Sequence, residues 1–129
     1  MVKIYTAEEN RPVLQQLLPE AVLETYTETP HNMKELMEQM SVLVAGPGLG
    51  TGEQAGQMIR QILSDAKVPI ILDADGLNLV AEHPEWLKNA SCPIIVTPHL
   101  GEMARLIHKD ISDIQNCLPD TARKFAAKY

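Results

Sequence analysis

The stretch VLVAGPGLG, residues 42–50, decides the fold. Val42, Leu43 and Val44 make a short apolar run, and Gly46, Gly48 and Gly50 end it at once. A run without polar alternation reads as a strand of a parallel sheet covered by helices. The glycines allow a tight turn and a close backbone approach. Residues 53–64 then place Met58, Ile59, Ile62 and Leu63 at helical spacing, with Thr51 as the candidate cap. Strand, turn and helix follow one another in that order.

The same plan recurs further along. Residues 68–72 form an apolar strand that ends in DADGLN, residues 73–78, where a short helix begins. Residues 93–96 form another strand, ending in TPHLGE, residues 97–102, before a helix that runs to Ile107. Upstream, residues 2–5 and 21–26 read as strands. They flank a helix that Thr6 and Glu9 would open as a capping box and Pro19 would stop. Residues 30–39 read as a helix with Met33, Leu36, Met37 and Met40 on one face, and a last helix spans 119–128. Trp86 and Leu87 fall in a further helical turn. Alternating strands and helices predict a three-layer, Rossmann-like α/β fold with a mostly parallel sheet flanked by helices.

The chain of 129 residues suffices for one domain with its own core. A net charge of −6 argues against a nucleic-acid partner, which calls for a basic face. No apolar run reaches the ~18 residues of a membrane span, and no secretory leader pattern opens the chain. Cys92 and Cys117 have no metal spacing and read as reduced thiols, which places the protein in the cytoplasm.

In parallel α/β folds ligands collect at the carboxyl ends of strands, so the three polar turns point to one shared site. The glycine turn is neither a dinucleotide fingerprint nor a Walker loop. It is either a tight connection or a seat for an anion at the start of the next helix. Asp73 ends a buried strand, and either it or Asp75 could hold magnesium, usually through water. Asp75 is either a helix cap or part of that site, and Asn78 could bond a substrate hydroxyl. His99 lies at a helix start, where the positive dipole end disfavours an imidazolium, so a mostly neutral ring is expected near neutral pH. Thr97 is the candidate cap there, and Glu102 a first-turn carboxylate. His31, His83 and His108 read as surface residues.

Taken in order and spacing, VLVAGPGLG, LDADGLN and IVTPHLGEMARL closely resemble the ADP/ATP-dependent NAD(P)H-hydrate dehydratases. These are lyases of the ribokinase-like, carbohydrate-kinase-like superfamily. The similarity covers residues 2–129. It implies repair of NADH or NADPH hydrated on the nicotinamide ring. A nucleotide, ADP or ATP with Mg2+, phosphorylates the ring hydroxyl, and loss of phosphate restores the double bond. Gly48, Gly50 and His99 would then contact the hydrated dinucleotide, while Asp73, Asn78 and Glu102 lie near phosphates and metal. Related enzymes assemble, so a homo-oligomer is implied.

The resemblance also implies that residues 1–129 form a single partial ribokinase-like domain. The family's N-terminal segment and C-terminal catalytic segment, with its catalytic Asp, have no counterpart in the chain. No catalytic residue is therefore assigned here, no firm metal ligand is named, and the 129 residues alone are expected not to turn over substrate. Two other readings compete. One is a different ribokinase-like kinase, acting on hydroxymethylpyrimidine or hydroxyethylthiazole. The other is a non-catalytic fragment that self-associates through an exposed sheet edge.

Overall fold

Leu43–Ala45, Ile70–Leu72 and Ile94–Val96 are strands β3, β4 and β5 of one parallel sheet in a computed structural model that describes residues 1–129. Their register is even: Leu43 pairs with Ile70, which pairs in turn with Ile94 on its other side. Ala45, Leu72 and Val96 end together at one edge. The crossovers between them are helices, as parallel pairing requires. These are α3 (Glu53–Asp65) and α4 (Asp75–Glu82), the latter followed by a 3-10 turn at Pro84–Asn89. After β5 come α5 (Leu100–Ile107), α6 (Ile111–Ile114) and α7 (Leu118–Lys128).

Helical spacing explains the core. Ile59 and Leu63 of α3, Leu77 and Val80 of α4, and Leu106 of α5 lose nearly all contact with water, as do Ile70 and Leu72 of β4. Ile114 and Phe125 join them from α6 and α7. Side chains alternate across a strand, so the opposite sheet face carries Val44, Ile71 and Ile95 in register. That row is apolar and open at its two sides: Val44 is 63% and Ile95 54% exposed, with Ile71 half-buried between them.

Contacts divide the chain into two compact units, Met1–Met33 and Lys34–Tyr129. The first holds a separate two-stranded parallel sheet, β1 (Lys3–Ala7) beside β2 (Val22–Tyr26), joined through helix α1 (Arg11–Leu17). The rings of Tyr5 and Tyr26 pack at a tilt, with centroids 5.2 Å apart. Arg11, Glu8 and Thr25 bond to one another side chain to side chain. The guanidinium of Arg11, then the Thr25 hydroxyl, holds the Glu8 carboxyl below its usual value, and the same contact raises Arg11. Burial raises the Tyr5 phenol.

Several expected boundaries move. The Thr6–Glu9 capping box does not form, because β1 continues to Ala7 and a 3-10 turn at Glu8–Asn10 intervenes. Thr6 instead accepts a bond from Asn10. The helix waits for Arg11–Pro12, where proline is pre-organised for a first turn. Helix α2 spans only Met33–Glu38, after Asn32 at φ 55°, which leaves Met40 outside it. Helix α6 was not foreseen. No helix is long and apolar enough to cross a membrane.

Candidate functional site

The common edge of β3, β4 and β5 sends out all three polar turns side by side. The first two are interlocked. Gly46 has φ 123°, and a Cβ there would lie 1.8 Å from the Asp73 carbonyl oxygen. Gly76 likewise sits against the Ala45 oxygen and the Gly46 Cα, at 3.0 and 3.1 Å from a would-be Cβ. Only hydrogen fits at Gly46, and a Cβ at Gly76 would be tight. Gly48 and Gly50 also take positive φ, 68° and 77°, but with open space around them. Their backbones stand clear at the rim.

Side chains complete the joining. The Gly50 amide donates to Asp75 Oδ2 at 2.9 Å. Asn78 Nδ2 donates to Asp75 Oδ1 at 3.4 Å, and Arg105 Nη1 donates to Asn78 Oδ1 at 2.6 Å. The third turn is tied to the second through Thr97, whose amide and hydroxyl both donate to the Leu72 carbonyl at 3.2 Å. Residues 46–50, 72–78 and 97–105 are thus one connected rim.

Three expected caps are reassigned. Thr51 does not cap α3; Gly52 is the N-cap, with no side-chain bond. Asp75 is the first residue of α4, and its carboxylate is spent on Gly50 and Asn78 rather than on a cap. Thr97 is not the cap of α5, because its hydroxyl faces back to β4. That cap is His99. Its Nδ1 accepts from the amides of Gly101 and Glu102 at 3.0 and 3.4 Å, and Glu102 Oε2 accepts from the His99 amide at 2.8 Å. This is a capping box with imidazole in place of a hydroxyl.

The cap fixes the histidine tautomer. An Nδ1 that accepts from two amides carries no proton, so the ring proton sits on Nε2, 3.3 Å from Glu102 Oε1. The His99 side chain is 65% exposed while that of Glu102 is 8% exposed. The carboxylate is a buried support, and the ring it holds is presented to solvent.

Asp73 lies half-buried at the end of β4, with Oδ1 accepting from the Ala74 amide at 2.9 Å. Ala74 itself has φ 48° and ψ −122°, a conformation natural to glycine. An open groove of about 890 Å³ runs from Asn78 and Gly101 past Arg105 toward Lys109 and Asp110. No three His, Cys, Asp or Glu side chains come close enough to cage a metal. The donors present suit a magnesium ion that keeps its waters and meets one carboxylate, Asp73, since both oxygens of Asp75 are engaged.

Sequence reasoning missed Arg105 as part of this rim. Its signal was its position three residues, about one helical turn, after Glu102, the counterpart of Asn78 in the next strand–turn–helix unit.

The NAD(P)H-hydrate dehydratase family profile matches residues 1–129. The bifunctional NAD(P)H-hydrate repair enzyme Nnr of Escherichia coli is 33% identical over the whole chain, which spans 24% of that protein. A hypothetical protein of Streptococcus mutans superposes on the whole chain with a TM-score of 0.80 at 25% identity, and 45% of it is covered. The ADP/ATP-dependent NAD(P)H-hydrate dehydratase of Bacillus subtilis, crystallised with ATP and Mg2+ and soaked with CoA, gives 0.72 at 25% identity, with 98% of this chain and 44% of that one covered. The chain thus spans about a quarter of the curated relative and under half of either solved structure. With its whole length matched, the chain belongs to the NAD(P)H-hydrate dehydratase family.

Proposed function

We propose that this rim is the substrate-binding part of a nicotinamide-nucleotide repair site. Gly48 and Gly50 meet a hydrated NADH or NADPH through backbone, and His99 meets it by its exposed imidazole. Asp73, Asn78 and Glu102 lie toward the phosphates and a hydrated Mg2+. ADP or ATP supplies the phosphoryl group that turns a poor leaving group, hydroxide, into a good one, phosphate. The chain's own residues bind and orient: open glycine backbone at 48 and 50 admits a bulky ligand, and the buried Glu102 holds His99 in one tautomer. We assign no catalytic base within residues 1–129. Action in the cytoplasm, as a homo-oligomer, belongs to the same proposal.

One observation carries the reading. Three sequence-distant turns that bear the family motifs are bonded into one rim at the carboxyl edge of a parallel sheet. The test is a titration with hydrated NADH in the presence of Mg·ADP, with recovery of NADH absorbance followed in parallel. Binding without turnover is expected from this chain, with turnover by a longer polypeptide that contains it. Losing the His99 contact, in His99→Ala, should weaken binding about ten-fold, the worth of one good hydrogen bond. Phosphorylation of hydroxymethylpyrimidine by the longer polypeptide, with the hydrate ignored, would replace this reading with the kinase one. Absence of binding together with concentration-dependent association would favour the non-catalytic fragment.

A further inference from the structure

We propose that Arg105 is a positioning residue that sets the polarity of the rim through Asn78, an inference that rests on the reading of this rim as the nucleotide site. A guanidinium can only donate. Its bond to Asn78 Oδ1 at 2.6 Å therefore leaves the amide one orientation, with Nδ2 turned toward Asp75. Asp75 can only accept when ionised, so it takes Nδ2–H on one oxygen and the Gly50 amide on the other. The order is Arg105 to Asn78 to Asp75, met by Gly50. Reversing the Asn78 amide would set an NH2 against the guanidinium and an oxygen against a carboxylate, two repulsive contacts in place of two bonds.

This directionality has a consequence for the glycine turn. A side chain added at Gly48 or Gly50 would meet open space, so no packing braces the turn there. The Gly50 amide bond to Asp75 is a long-range tie on the outer part of the turn, alongside the Leu49 amide bond to Gly46 within it. Arg105 stands 55 residues further along the chain than Gly50 and on another helix, yet it governs that tie. Arg105 enters none of the ion pairs formed by the other charged side chains. Its committed partner is a neutral amide, which suits orientation better than charge balance.

The test compares Arg105→Leu, Arg105→Lys and Asn78→Ala by amide hydrogen exchange and by Mg·ADP titration. In Arg105→Leu the Gly50 amide should exchange about ten-fold faster, while Ile71 and Leu72 at the sheet centre keep their rates. Arg105→Lys, which keeps the charge without the planar fork, should fall between. In an Asn78→Ala background Arg105→Leu should add nothing at Gly50, because the effect passes through Asn78. A full Arg105→Leu effect in that background would overturn the proposal, as would a Gly50 rate unchanged or raised only in step with the core. Should Arg105→Leu not fold, Arg105→Lys and Asn78→Ala decide by the same readout. The exchange arm needs no ligand. Altered exchange with no Mg·ADP binding by any form would sink the nucleotide reading and leave the positioning role standing.

Discussion

Gly46, packed on the Asp73 carbonyl, and Ala74, the residue after Asp73, bear opposite consequences. A methyl group at 46 would meet the Asp73 oxygen at 1.8 Å, on backbone at φ 123°. Gly46→Ala should cost roughly 3 kcal/mol or more in urea unfolding, strain and clash combined. Gly48→Ala, with positive φ and free space, should cost only about 1 kcal/mol. Ala74 is the reverse case, an L-residue held at φ 48° and ψ −122°. Ala74→Gly should stabilise by about 1 kcal/mol, which the same unfolding curves would show. The glycines announced a special turn in the sequence, and the turn is where they put it. The strain at Ala74 was illegible, because alanine ordinarily marks relaxed right-handed backbone and only the packing of Gly46 on Asp73 forces it over. Acidity acts at residue scale too. Glu8 is held below the usual carboxylate value by Arg11, so its stabilising effect is whole above the ordinary value and fades as pH falls through the lowered one. Glu8→Gln should flatten the acid limb of a stability–pH curve for the Met1–Met33 unit, and an unchanged limb would refute that origin.

Helix α5 shows how one element serves stability and binding with the same side chain. His99 caps the helix through Nδ1 while its exposed ring faces outward. The two roles are separable. His99→Asn should keep the cap, and with it stability within about 0.5 kcal/mol, yet weaken ligand binding as much as His99→Ala does. His99→Ala should lose about 1 kcal/mol as well. Thermal unfolding beside a binding titration distinguishes them, and equal stability losses in both variants would remove the capping role. The sequence placed a helix here and singled out both His99 and Glu102. It pointed to Thr97 as the cap because threonine is the commoner choice, but Pro98 follows and the Thr97 hydroxyl reaches the neighbouring strand instead. Caps at Thr51 and Thr6 went astray for a related reason. A hydroxyl one or two residues from a helix start looks like a cap in sequence, and only the chain's path decides whether it points there.

At the scale of the molecule, the parallel strands and their helices were legible because wholly apolar runs and helical spacing leave little choice. Less legible was which sheet face would be covered. Val44, Ile71 and Ile95 read as buried, since nothing in an apolar run distinguishes its two faces, and Val44 and Ile95 stand open in the structure. Val44→Thr with Ile95→Thr should change stability by less than about 1 kcal/mol while lowering binding of a hydrophobic dye and self-association in light scattering. The rim was legible as a set of residues but not as a network, because Arg105, a helix turn past Glu102, carries no mark in the sequence of its bond to Asn78. Amide chemical shifts of the 129-residue chain, followed as hydrated NADH is added with Mg·ADP, test the shared rim most directly. Gly48 and Gly50, residues 73–78 and residues 99–102 should move together along one binding curve. Shifts confined to a single turn, or gathered in the Met1–Met33 unit, would contradict it.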